Sequence, residues 1–151
     1  MQVVVENLDR NRTPLREKIF KETILYLLNC LKIKPAQINV YFVDKRRIKK
    51  LNRIYLKRDY PTDVLCFNLS DNKKQILAEI FICLPIAKEN ARVYKNSFAG
   101  EVMLYIIHSI LHILGYSDKN KKDKEIMARR QKFLLNKACA YIYSKYKIPI
   151  N

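Results

Sequence analysis

Residues 101–118 read EVMLYIIHSILHILGYSD and contain both histidines of the chain. His108 and His112 are four apart, so on a helix their side chains share one face, a turn apart. Glu101 and Tyr105, seven and three residues before His108, fall on that face as well. Val102, Leu104, Ile106, Ile107, Ile110, Leu111, Ile113 and Leu114 are apolar, which predicts a helix buried nearly all round. Ser97 is placed to cap it, and Gly115 to end it as a left-handed residue beyond the last turn. From residue types alone two readings stand: satisfied core histidines, or two ligands of one ion. In the second, the reversal at Gly115 swings Asp118 back towards the pair. Two histidines and a carboxylate leave one position open, as a catalytic metal site requires. Proteases with an HExxH helix carry their general base directly after the first histidine. Here that residue is Ser109, so peptidase chemistry lacks its base.

Working outward, Gln2 to Leu8 alternates as a strand. Thr13-Pro14 has the form of a helix cap followed by proline, and Leu15, Ile19, Ile24, Leu27, Leu28 and Leu31 make the next helix amphipathic. INVYFV (38–43) is a strand by its β-branched and aromatic content. Asp44 can cap the basic helix KRRIKKLNRIYL, whose apolar face is Ile48, Leu51, Ile54 and Tyr55. Val64–Leu69 and Gln75–Cys83 read as hairpin-related strands around the punctuation Asp71-Asn72-Lys73. Pro85 opens a helix through about Tyr94, and a last helix fills most of Lys121–Lys147. The order β-α-β-α-β-β-α-α-α implies an α+β fold, with one mixed four-stranded sheet packed by about five helices. Without repeats or linkers, residues 1–151 are expected to form a single domain. Strand order is not legible.

Composition narrows the function. An apolar fraction of 49% with only 2 Gly and 5 Pro excludes disordered and fibrous classes. No apolar run reaches bilayer length, and MQVVVENLDR lacks the basic start and apolar middle of a signal peptide, so the expected compartment is the cytoplasm. Cys30, Cys66, Cys83 and Cys139 are scattered through apolar segments without a CxxC, hence expected to be buried free thiols. Thirty Lys and Arg against 14 Asp and Glu leave a net charge of +16. That excess favours a polyanionic partner, nucleic acid ahead of membrane.

HSILHILGYSD resembles the signature HGxxHLxGYDH of the YbeY family of rRNA maturation factors. LNRIYLKRDYPTDVLCFN (51–68) is similar to the family stretch LNxxYRxxDxPTDVLSFP. Between them, LAEIFICLPIAKENA resembles the family's Gly-Asp-Ile-x-Ile-Cys strand and following helix. Order and spacing agree, over about residues 37–118. The resemblance implies a zincin-like metal helix and a metal-dependent endoribonuclease acting on single-stranded RNA in small-subunit rRNA maturation and ribosome quality control. It implies one divalent ion, zinc, on His108, His112 and Asp118, the last standing where the family has a third histidine. A carboxylate is harder than imidazole and makes the ion a weaker Lewis acid. The small ribosomal subunit and its RNA are the implied partners, with neither DNA nor a membrane. The family's arginine after the tyrosine of YRxxD is Leu56 here, and Arg58 or Lys57 is the nearest replacement. Cys66 replaces serine, Ala78-Glu79 replaces Gly-Asp, and Ser109 replaces glycine.

Lys45, Arg46, Arg47, Lys49, Lys50, Arg53 and Lys57 form the expected RNA-binding face, whose bland alternative is a solvated helix surface. Tyr55 and Tyr60 are placed either to stack on unpaired bases or to pack. Lys119–Lys124 is a second basic patch or the polar start of the last helix. Glu101 either orients a ligand histidine, relays a proton, or serves the helix as a cap or ion pair. Two rival functions remain at this level: a non-catalytic RNA-binding assembly factor with a structural metal, and a metallohydrolase of another substrate.

Overall fold

The computed structural model describes residues 1–9, 15–72 and 74–150. The elements are β1 (Gln2–Asn7), α1 (Glu17–Cys30), β2 (Ala36–Val43), α2 (Lys45–Leu56), β3 (Val64–Asn68), β4 (Ile76–Cys83), α3 (Leu84–Val93), α4 (Phe98–Ile113) and α5 (Lys121–Tyr146). This is the expected order, and three helix starts have a polar side chain in place. Asp44 accepts from Arg47 N at 2.8 Å, Ser97 from Gly100 N at 3.0 Å and Asn120 from Asp123 N at 2.9 Å. The expected Thr13-Pro14 cap lies outside the described residues, as does Lys73 of the expected turn. Leu15 and Arg16 are not helical; α1 begins at Glu17, and its cap residue Arg16 makes no side-chain cap bond.

The strands form one sheet in the order β1-β2-β4-β3. β1 and β4 both run parallel to β2, while β3 closes an antiparallel hairpin with β4, Cys66 facing Ile80 and Phe67 facing Glu79 in register. β3 is therefore an edge strand. Alternation along the strands divides the core in two. Ile38, Val40, Phe42, Ile80 and Ile82 join α1, α4 and α5 in the larger cluster. Val43, Leu65 and Cys83 join Ile48 of α2 in the smaller one, with Tyr41, Phe67 and Phe81 packed against it. Tyr41, Phe81, Phe67 and Tyr55 make a continuous aromatic row, with centroids 5.1, 5.9 and 5.2 Å apart. Thus α2 lies on one face of the sheet and α4 on the other. Of the four expected buried thiols, all are free, but Cys30 and Cys66 belong to exposed residues because their segments lie at a helix end and on the edge strand.

Three backbone features matter for the site and for stability. After α4, Gly115 (φ 95°) donates to His112 O and Tyr116 N to Leu111 O, both at 3.0 Å, the paired bonds of a Schellman ending. At four other helix ends a lysine takes the left-handed conformation: Lys32, Lys57, Lys95 and Lys147. Gly100 lies so close to the C-terminal residues that a Cβ there would sit 2.3 Å from Ile150 O.

Candidate metal centre

α4 is not sealed on every side, contrary to the expectation from its apolar content. Val102, Met103, Tyr105, Ile106, Ile107, Ser109, Ile110 and Leu111 are buried, but Leu104 and His108 are half-buried and His112 is exposed. These three, spaced four apart, form a stripe that the sheet, α3 and α5 leave open. Both histidines therefore stand at a solvent-facing mouth, and no core-burial penalty acts on them.

The ring of His108 is held from behind. Its Nδ1 lies 2.7 Å from Gln131 Oε1, and the tautomer with its proton on Nδ1 makes this a hydrogen bond and leaves Nε2 with the lone pair. His112 Nε2 is 2.9 Å from that lone pair, the two rings meeting edge to face with centroids 4.4 Å apart. Asp118 Oδ2 lies 3.5 Å from His112 Nε2. All three donor atoms fall within 4.8 Å of one another. Two donors about 2.0–2.1 Å from one tetrahedral ion stand about 3.3–3.4 Å apart, and the observed 2.9 and 3.5 Å bracket that spacing. The Asp118 side chain is half exposed, free to make the small closing movement. Imidazole, imidazole and carboxylate around an open side fit a divalent ion.

Gln131 escaped the sequence reading. It belongs to α5, on the inward row with the buried Met127, Leu134, Ala138 and Ile142. A polar residue in that apolar row was the available signal. Glu101, read either as an orienting or proton-relaying residue or as a helix cap or ion pair, makes its hydrogen bond away from His108. It is buried at 3% exposure and accepts from Asn96 Nδ2 at 2.8 Å. Seven residues of helix place it about 10 Å along the axis from His108. Beside it, Tyr105 OH accepts from Asn90 Nδ2 at 2.8 Å, and burial, then the Glu101 charge, raises its pKa. On β3, Cys66 Sγ lies 3.9 Å from Ser109 O, and burial of the thiol pushes its pKa up to about 11.

The family description Endoribonuclease YbeY matches residues 5–139. The chain belongs to the YbeY family. An endoribonuclease YbeY of Chlorobium limicola is 33% identical over 126 residues, covering 83% of this chain and 87% of the relative. One from Staphylococcus carnosus is 38% identical over 109 residues, covering 67% and 71%. The solution structure of a Thermotoga maritima protein superposes with a TM-score of 0.67 at 29% identity, covering 96% of this chain and 94% of that one.

The YbeY stretch 51–68 supplies the end of α2 and the edge strand. Leu56 ends α2 half exposed, Lys57 follows in the left-handed conformation, and Arg58 N donates to Asn52 O. Buried Asn52 donates through Nδ2 to Tyr60 O at 2.9 Å and so ties down the loop before β3. Among the described residues no hydrogen bond or ion pair joins Arg58 to the histidines. All seven basic residues expected to meet RNA are exposed, but they sit across the sheet from α4. Lys45 is 2.7 Å from Glu89 and Lys49 is 4.0 Å from Asp59, while Arg46, Arg47 and Lys50 line a cleft of about 410 Å³ with Leu8 and Asp44. No helix among the described residues is long and apolar enough to cross a membrane.

Proposed function

We propose that this protein is a metal-dependent endoribonuclease that cuts single-stranded RNA during small-subunit rRNA maturation, in the cytoplasm, with residues 1–151 acting as one domain. The observation that carries the reading is the convergence of His108, His112 and Asp118 behind one open side, with Gln131 holding His108 in the ligating tautomer. These three would hold the ion, for which we propose zinc. When bound, such an ion supplies Lewis-acid polarisation of a phosphoryl oxygen and makes water acidic near neutral pH. The chain's own residues do the rest. Gln131 keeps His108 Nε2 directed outward. Arg46, Arg47, Lys50 and Arg53, whose side chains make no ion pair among the described residues, would hold phosphates without reading bases. Lys45, Lys49 and Lys57 add charge to the same face, and Tyr55 and Tyr60, 62% and 52% exposed, offer rings to unpaired bases. Arg58 is the candidate cation for the scissile phosphate in place of Leu56.

The test is to quantify metal in purified protein and measure cleavage of single-stranded RNA by wild type, His108→Ala and Asp118→Ala. Copurifying or loadable metal, with cleavage lost in both variants, is the expected result. Cleavage indifferent to both substitutions, or a protein that takes up no metal at neutral pH, overturns the proposal. Leu56 favours one second reading, a binding factor without catalysis; metal-replete protein that binds RNA and leaves it intact would establish it.

A further inference from the structure

The loop that returns Asp118 to the histidines also forms, with α5, a pocket that the metal centre does not use. Tyr116, Ile126, Arg129, Arg130 and Phe133 enclose about 280 Å³. Tyr116 is two residues before Asp118, and Arg130 is the neighbour of Gln131, so the pocket shares both its walls with the metal centre. On α5 the inward row is Met127, Gln131, Leu134, Ala138 and Ile142. One residue round the helix, Ile126, Arg130, Phe133 and Lys137 form a second row at spacings of four, three and four, which no element covers. Phe133 is 48% exposed and Ile126 37%.

Two details mark this row as more than a solvated helix face. Phe133 stands between cations, with Arg130 Cζ and Lys137 Nζ each 5.2 Å from its ring centroid. Arg130 Nε is buried and has no hydrogen-bond partner. A buried guanidinium N–H without an acceptor is costly, and among the described residues no protein group supplies one. What fits both is a ligand with an anionic acceptor beside a flat ring. A guanidinium meets phosphate oxygens in a planar fork, and an aromatic ring with Arg beside it is a stacking platform for any base.

We propose that this pocket is a nucleotide subsite for single-stranded RNA beyond the cleavage position. A phosphate sits on Arg129 and Arg130 and supplies the acceptor for Nε, and the adjoining base stacks on the Arg130–Phe133 pair. The proposal rests on the endoribonuclease reading above and extends it to the substrate outside the metal centre. The Lys119–Lys124 run leads into α5 and adds positive charge at its start.

The test uses the full chain and fluorescein-labelled single-stranded RNA, a dinucleotide and a longer oligonucleotide, with binding read by anisotropy in chelator so that cleavage does not intervene. Arg130→Gln and Phe133→Leu are expected to weaken binding of the long RNA about tenfold and leave the dinucleotide unchanged. Arg130→Gln is also expected to reduce the slope of log affinity against log salt by about 0.7. Phe133→Tyr, which keeps the ring, retains affinity. Unchanged long-RNA binding and salt slope in folded Arg130→Gln and Phe133→Leu protein overturn the subsite, as does a loss confined to an acidic peptide probe. Should either variant not fold, thiouridine-substituted RNA crosslinked to wild type decides: a crosslink in the Phe133 peptide supports the subsite, its absence refutes it. Wild type that binds RNA but never cuts it when loaded with metal removes the endoribonuclease reading alone, since these binding measurements do not depend on cleavage.

Discussion

Gln131→Leu isolates the one contact that prepares His108 for an ion. The wild-type contact is 2.7 Å from Nδ1 to Oε1, in a half-buried setting. Such a bond contributes about 0.5–1.5 kcal/mol net, which is about two- to twelvefold in an equilibrium constant. Its removal also frees the ring to rotate and lets the proton move to Nε2, the nitrogen that must stay unprotonated to ligate. Loss of an outer partner of this kind typically lowers metal affinity about 10–100-fold. With Asp118 and His112 untouched, the expected loss is near the lower end, about tenfold. Gln131→Glu should act in the opposite sense, because a carboxylate accepts the same proton and makes the imidazole more basic. The assay is competition with a chromophoric chelator, so no RNA or turnover enters. Equal affinities for wild type and Gln131→Leu, with binding abolished in His108→Ala, would show that the orientation of His108 comes from elsewhere and would refute the reasoning.

Three further expectations concern stability. Gly100→Ala would place a Cβ 2.3 Å from Ile150 O and 2.8 Å from Ser97 Oγ, displacing a residue that is 4% exposed. Losing the Ile150 burial costs about 1.5–3 kcal/mol and the better helix former returns up to about 1, so urea unfolding should register a net loss of about 0.5–3 kcal/mol; with residues 148–151 removed only the Ser97 Oγ contact remains, and the loss should shrink. Lys95, at φ 57° beyond α3, is strained where glycine is not, so Lys95→Gly should gain about 0.5–1 kcal/mol by thermal or urea midpoint, and a loss would contradict that. Burial pushes the Cys83 thiol from 9.0 up to about 11. The native state therefore keeps a proton that the unfolded chain releases: the contribution is complete below pH 9.0 and is lost as pH rises to about 11. It amounts to about 2–3 kcal/mol at most, and a pH series of urea midpoints on Cys83→Ala should show a flatter alkaline fall.

How far the sequence could be read depended on the range of each interaction. Caps at Asp44 and Ser97, the ending at Gly115 and the β3–β4 hairpin are written in neighbouring residues, and all are present. His108, His112 and Asp118, the set implied by the family signature, lie with their donor atoms within 4.8 Å of one another. What failed was everything needing the partner of a face. Periodicity was right for only half of the expected apolar side of α2, where Ile48 and Leu51 pack inward while Ile54 and Tyr55 are exposed, and it did not show that α2 and α4 cover opposite sides of the sheet, because the order β1-β2-β4-β3 arises from pairing between distant strands. For the same reason His112 looked buried, Glu101 looked close to the histidines, and Gln131, 23 residues from His108, was passed over. A polar residue inside an otherwise apolar inward row can be found without a structure; its target cannot.

Two departures from the family pattern act in the same direction on the chemistry. On the proposed reading, Asp118 in place of the family's third imidazole would take one unit of charge from the centre, and Leu56 in place of the family's arginine would take a cation from its approach. Both weaken stabilisation of the charge that develops as a phosphodiester is cleaved. The net +16 does not compensate, since a broad positive surface attracts the ground-state polyanion as strongly as the transition state. Uniform binding lowers KM without raising kcat. This chain is therefore expected to hold RNA firmly, in a manner steeply dependent on salt, and to cut it slowly. Leu56 is half exposed at the end of α2, beside the edge strand, so an arginine fits there without displacing core. Leu56→Arg should raise kcat by about tenfold or more, with little change in KM, in single-turnover cleavage of single-stranded RNA at saturating protein. A fall in KM at constant kcat would mean that the position contributes only to binding, and that the missing arginine is no handicap to the reaction.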